Sequence, residues 1–248
     1  YFESMGGKEK IKALQSRKME ATMSMGGMEF SGTIIEKAPN KQRVDVDIQG
    51  MQLVQAYDGE TAWTINPFAT GTEPQKMPEA EAEQMVKQKF EDPFIDYASK
   101  GHTVELEGKE EVEGAECFKL KLTKDNGDVE YHFFDAEYFI PVMSRTTQTS
   151  GPAAGMPAET FLSDYQEVNG IMFPFFLETK VNGQTAQKIT LTSVELDVDV
   201  DDAFFAFPGA KNKMKEAEKE QMLKNAPKGE MKSGDEMEKT KAKKKKNN

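Results

Sequence analysis

Apolar residues recur at every second position along most of this chain. Met19, Ala21, Met23 and Met25 share one parity, with Glu20, Thr22 and Ser24 between them, and Val44, Val46 and Ile48 alternate with Asp45 and Asp47. A period of two marks a half-buried strand. Turn signals punctuate the runs. Gln49-Gly50, Asp58-Gly59, Asn169-Gly170 and Asn182-Gly183 each follow an apolar alternation, and a Gly at these points supplies the positive φ of a tight hairpin turn. The first five strands are therefore expected as a meander whose fifth, holding Trp63, stops at Asn66-Pro67, where Pro67 removes a ladder donor. Before them, Tyr1–Met5 with Gly6-Gly7 reads as the last turn of a helix that begins upstream, and Lys8–Leu14 as a short helix.

The period changes once in mid-chain. Residues 69–78 read as a Gly/Pro/Thr loop, and Pro78-Glu79-Ala80-Glu81 has the Pro-then-acid start of a helix running to about Glu91. Asp92-Pro93 reads as the cap of a second helix to about Ser99. Met85, Val86, Phe90, Phe94, Ile95 and Tyr97 give the pair an apolar face. Strands resume at Thr103–Glu107 and Glu116–Thr123 and continue through Lys188–Leu196, for about 11–12 in all. The run Ile171-Met172-Phe173-Pro174-Phe175-Phe176-Leu177 is apolar at both parities, so both faces of that strand should meet hydrophobic surroundings. The expected fold is mainly β: one curved antiparallel sheet, an incomplete barrel, with the helices covering its concave face as a lid.

Charge divides the chain. Residues 209–248 hold 13 Lys+Arg and 7 Asp+Glu (net +6), leaving 19 and 36 of the chain's 32 and 43 to residues 1–208 (net −17). An acidic body lacks the Lys/Arg patch that nucleic acid requires. Residues 1–208 are expected as one domain. Residues 209–248 should form a Lys-rich tail, a weak helix and then disorder; it is either a solvated end or a transient contact with anionic headgroups. No apolar run approaches the roughly 18 residues of a membrane-spanning helix.

Signals for catalysis are sparse. His102 and His132 lie thirty residues apart without partners at metal-ligand spacing, and His132 alternates with Tyr131 and Phe133 as a strand residue. There is no nucleophile elbow, P-loop or dinucleotide fingerprint. The one cysteine, Cys117, excludes an internal disulfide and reads as a half-buried structural thiol. Asp197–Asp202 lacks the glycine and terminal Glu of a calcium loop. No enzyme activity, metal or cofactor is expected. Fifteen methionines and sixteen phenylalanines stand out instead, because thioethers and rings suit a surface that accepts flexible hydrocarbon.

Two motifs carry a family resemblance. Pro39-Asn40, followed by Asp58-Gly59-x-Thr61-x-Trp63-x-x-Asn66-Pro67-Phe68, and the close Asp202-Ala-Phe-Phe-Ala-Phe-Pro208 are similar to those of bacterial outer-membrane lipoprotein carriers of the LolA/LolB type. That resemblance implies a half-open barrel in the periplasm that carries lipoprotein acyl chains or lipid in an apolar cavity. Donor and acceptor would be an inner-membrane release complex and an outer-membrane receptor. It places Trp63 and Phe68 in the sheet beneath a lid formed by Met85, Phe90, Phe94 and Ile95; Phe173 and Phe175, from the strand apolar at both parities, are added as candidates for the same acyl site. The chain departs from those carriers at Ala38, where they have a latching arginine, and at Gln42, where they have an apolar docking residue. The alternative within the same fold is an envelope sensor that binds lipid and regulates a membrane-bound partner protein.

Overall fold

The computed structural model describes residues 1–149 and 153–208. The chain divides into two units, Tyr1–Phe207 and Pro208–Asn248; the expected Lys-rich tail lies outside the described residues. The first unit is one antiparallel sheet of thirteen strands: β1 (Ser16–Met25), β2 (Met28–Lys37), β3 (Lys41–Ile48), β4 (Met51–Tyr57), β5 (Ala62–Asn66), β6 (Gly71–Lys76), β7 (Thr103–Val112), β8 (Ala115–Thr123), β9 (Val129–Asp135), β10 (Pro141–Thr147), β11 (Pro157–Val168), β12 (Ile171–Val181) and β13 (Gln184–Leu196). Sequence neighbours pair at every step except β6 to β7, and β1 pairs with β13. The order is therefore β6 to β1, then β13 down to β7, with β6 and β7 as free edges. The sheet is curved and not closed.

One strand more than expected forms. Gly71–Lys76 pairs with β5 (Trp63↔Lys76, Thr64↔Gln75) although it reads as a loop. Its side chains are almost all exposed, so no apolar alternation marks it, and Pro74 is tolerated because this is an edge. The helical pair is shorter than expected. α1 (Lys8–Ala13) and α2 (Glu79–Lys87) form, but the second mid-chain helix is reduced to a 3₁₀ turn, Tyr97–Lys100. Asp92 does cap the segment, accepting from Phe94 N at 2.8 Å, yet Asp96 takes φ 48° and breaks the helical path. The Asp58-Gly59 link is a four-residue loop rather than a two-residue turn: Asp58 Oδ1 accepts from the Glu60 and Thr61 amides at 2.9 and 2.6 Å. Only Gly59 among these four residues has positive φ, and a Cβ there would stand 3.1 Å from Asn40 Oδ1. The two halves of the hairpin motif thus meet in space, Asn40 against Gly59.

Cross-strand partners define two faces. One unbroken row runs Phe30, Met23, Ile189, Leu177, Leu162; two residues along β11 it continues as Thr160, Ser144, His132, Leu120, Leu106. This front face carries the largest buried cluster, with Ala21, Met23, Val46, Phe173, Phe175 and Leu191, against which Ile11, Leu14 and Phe90 pack. Strand β12 meets half of its expectation: Ile171, Phe173 and Phe175 are buried on the front, whereas Met172, Pro174 and Phe176 on the other parity are only half-buried. The back face is laced with ion pairs such as Arg145–Glu159 (2.8 Å), Lys119–Glu107 (3.2 Å) and Lys121–Glu105 (3.4 Å). Exposed pairs of this kind contribute little individually. Their stems matter more, since Arg145 lies over Phe133 at 4.9 Å and Lys180 over Phe161 at 4.1 Å. Those stems roof the back-face cluster of Val112, Cys117, Phe133 and Met143 in place of a second layer.

A candidate ligand groove on the front face

The front face of β7–β9 is not filled. Alternation places Val104 and Leu106 on β7, Phe118 and Leu120 on β8, and Phe134 on β9 side by side, and these form the floor of an apolar groove. Its walls come from elsewhere in the chain: Tyr1 and Phe2 from the N-terminal turn, Phe94 and Tyr97 from the segment after α2, and Phe139 from the turn after β9. The groove holds about 390 Å³. It opens outward at Leu106, 63% exposed, and at Tyr97 and Phe139. An open apolar recess on a chain this charged is a candidate binding surface.

Each wall is tied down by polar contacts outside the groove. Tyr1 packs on Phe134 with ring centroids 4.9 Å apart and donates its hydroxyl to Asp92. Burial first, and then the Asp92 carboxylate, push its phenol far above the ordinary value, so it remains a donor. The turn that presents Tyr1 is held by Met172 N donating to Met5 O at 3.1 Å. Gly6 is required there: its φ is 106°, and a Cβ would fall 2.1 Å from Gly170 O. Phe94 meets His132 edge-on at 4.9 Å, and His132 Nε2 lies 3.2 Å from Glu130 Oε2. Lys8 and Lys12 both reach Asp96, at 2.7 and 2.6 Å, and fasten α1 to the segment that carries Tyr97. Hydrogen bonds from Lys12 and then Lys8 hold the Asp96 carboxyl at about 2.

Beside the groove floor, two residues before His132 on the same face of β9, Glu130 is largely buried. Burial acts to raise its pKa, but hydrogen bonds from His132 and Lys124 outweigh burial and hold the carboxyl at about 2, against an ordinary 4.5. A depressed carboxylate contributes stability that is present above 4.5 and lost as pH falls towards 2. Glu130→Gln is therefore expected to cost about 2 kcal/mol at pH 7, discounted for partial exposure, with the gap closing below pH 4.5. Urea denaturation of both proteins across pH 2–7 measures it; a gap that does not change with pH would remove Glu130 from this role.

The expected site residues do not all come together. Phe94 lines the groove, and Ile95 beside it is fully buried. Phe90, Phe173 and Phe175 meet in the neighbouring front-face cluster. Met85 packs with Tyr57, Ala62 and Ala82 at the β4–β5 end. Phe68 is 54% exposed in the turn before β6. Trp63 is on the back: it pairs with Ala56, which pairs with Arg43, one residue out of phase with Val44 of the front cluster. There it packs with Val54, Ile65 and Phe207 and donates its indole N–H to Phe205 O at 2.8 Å. Arg43 donates to Phe204 O at 3.0 Å and lies 4.3 Å over the Phe204 ring. The two motifs of the family resemblance thus clamp one another, which places Trp63 away from the groove.

Most of the side chains that hold the stretch 85–90 carry no signal in the sequence. Gln42, buried, donates to the Met85 carbonyl at 2.9 Å. Arg17 pairs with the buried Glu36, whose other oxygen accepts from Gln88 at 2.9 Å, and the Arg17 guanidinium lies 5.3 Å over Phe90. Phe90 N donates to Pro39 O at 3.1 Å. Lys87 reaches Asp128 in the β8–β9 turn at 3.1 Å. The stretch 85–90 is thus pinned at both ends of the sheet by side chains whose only sequence signal was Gln42 at a position where the carriers have an apolar residue. Among the described residues, no three His, Cys, Asp or Glu side chains gather as a metal site. The Asp197–Asp202 carboxylates serve structure: Asp197 accepts from Gln15 N, Asp201 caps Ala203 N, and Asp202 pairs with Lys37 and Lys41.

No protein-family model matches the sequence, and no curated protein matches it. Solved structures do. A DUF1329 family protein from Desulfovibrio piger superposes with TM-score 0.57 at 14% identity, covering 80% of this chain and 92% of that one. An outer membrane lipoprotein-sorting protein domain from Vibrio parahaemolyticus gives 0.55 at 10% identity, covering 84% and 95%. A LolA superfamily protein from Nitrosomonas europaea gives 0.52 at 11%, covering 78% and 90%. The chain therefore has the fold of these three structures, the DUF1329 family protein, the lipoprotein-sorting domain and the LolA superfamily protein.

Proposed function

We propose that this protein is a periplasmic carrier that binds acyl chains of lipoproteins or lipids, catalyses no reaction, and hands its cargo on towards the outer membrane. The observation that carries the reading is the open groove of β7–β9, apolar on floor and walls, on the face of these strands opposite the Lys119–Glu107 and Lys121–Glu105 ion pairs. The fold, found also in a LolA superfamily protein and a lipoprotein-sorting domain, supports it by analogy. In this reading α2 and the stretch 85–90 act as a lid over the front face, fastened by Gln42, Glu36 and Lys87. Burial of hydrocarbon supplies the affinity, at about 0.8 kcal/mol per methylene. That suffices to take a chain from water and remains reversible by transfer to a deeper site. A donor complex, an acceptor and a passing membrane contact belong to the same proposal.

The test is binding of a fluorescent fatty-acid analogue to the full chain. Saturable binding, displaced by unlabelled lipid, is expected; no saturable binding would sink the carrier reading. A sensor of the same fold would instead co-purify with a membrane-anchored regulatory protein and change its affinity for that protein when lipid binds.

A further inference from the structure

We propose that the groove takes the hydrocarbon tail of a single-chain amphiphile, tail first and to a depth of about a dozen carbons, and does not read the head. This rests on the acyl-binding reading and goes further, because it fixes the number of chains and the part of the ligand that is recognised.

The number follows from volume. A water molecule takes about 30 Å³ of liquid and a methylene occupies a similar space, so roughly 13 carbons fill the groove of about 390 Å³. That is one chain. The remaining front face offers no second berth, since Ile11, Leu14 and Phe90 already lie on Phe173, Phe175 and Leu191. The orientation follows from the polar groups around the groove. Tyr1 OH is committed to Asp92, Tyr165 OH to Pro141 O at 2.8 Å, and His132 to Glu130. Among the described residues no buried side-chain nitrogen or oxygen lacks a partner. A carboxyl, phosphate or amine drawn inside would lose its water without replacement, which is strongly unfavourable. The head stays outside, past Leu106 and Phe139 at the exposed rim. The cation beside the floor, Lys109, 5.1 Å over the Phe118 ring, is already paired with Glu116 at 2.6 Å, and salt screens the field of the acidic body.

Titration calorimetry of the full chain with alkyl phosphocholines of 8 to 18 carbons, each below its micelle concentration, tests this. Affinity should rise about fourfold per methylene, level off near 12 to 14 carbons, and show one ligand per chain. Dodecyl chains bearing carboxylate, trimethylammonium or phosphocholine heads should agree within a few-fold at 0.5 M salt. Diheptanoyl phosphatidylcholine should bind like a single heptyl chain. Val104→Trp, on the edge strand, should move the break to shorter chains. Affinity that climbs to 18 carbons, two ligands per chain, or a tenfold preference for one head overturns the inference and leaves the carrier reading standing. No binding at any length overturns both.

Discussion

Trp63→Ala is expected to destabilise the protein by about 3–5 kcal/mol, the range for deleting a large buried ring. Trp63 is 1% exposed among Val54, Ala56 and Ile65, so its removal opens a cavity that rigid strands cannot collapse into. It also orphans the Phe205 carbonyl, now paired with the indole at 2.8 Å. Phe205 is itself fully buried, and the ring of Phe207 stands edge-on to Trp63 at 6.3 Å. The closing segment thus loses its anchor together with its cover. Urea denaturation followed by circular dichroism gives the magnitude, and hydrogen exchange at residues 202–207 should speed up in step. Trp63→Phe, which keeps most of the packing and removes only the hydrogen bond, is expected to cost about 1–2 kcal/mol. Because Trp63 is on the back face, acyl binding by the folded variant should be unchanged. A loss under 1 kcal/mol for the alanine variant would show that the closing segment does not depend on this ring.

The fold was legible wherever one face of a strand is buried. Strands β1–β5 and β7–β13 follow from alternation and Gly turns, because burial on the front face forces the period of two. Strand β6 was not, since a segment exposed on both sides needs no apolar pattern and is held by backbone pairing alone. The shortened second helix is a local matter: Asp92 caps as its sequence suggests, but Lys8 and Lys12 capture the Asp96 carboxylate in a left-handed conformation, and that partner lies more than eighty residues away. Trp63 makes the same point for the site. Its parity with Ala56 and Arg43 fixes which face it occupies, yet the segment that covers it is 142 residues distant. The groove lies between these cases. Its floor is readable as the apolar parity of Val104, Leu106, Phe118 and Leu120, whereas its openness depends on how far Tyr1 and Phe94 reach over it.

A graded loss of acyl binding across two positions of β7 is expected to have the largest functional effect. Val104 and Leu106 share the groove-facing parity of the edge strand, but Val104 is half-buried on the floor while Leu106 is mostly exposed at the rim. An aspartate at 104 must lose its water when a chain enters, and the paired Leu122 across the strand offers it no donor. Desolvating an unpaired carboxylate costs several kcal/mol, of which about 3 would appear as a roughly 100-fold loss of affinity. At 106 the carboxylate keeps its water, so Leu106→Asp should lose no more than about threefold, the contribution of its own hydrocarbon. Both substitutions are on the outermost strand, where side chains are easily accommodated, and matching circular dichroism and urea midpoints would show the fold intact. Fluorescent fatty-acid titration of the two variants reads the difference. Equal losses at the two positions would point to general charge repulsion from an already acidic surface, and no loss at 104 would place the bound chain somewhere other than this groove.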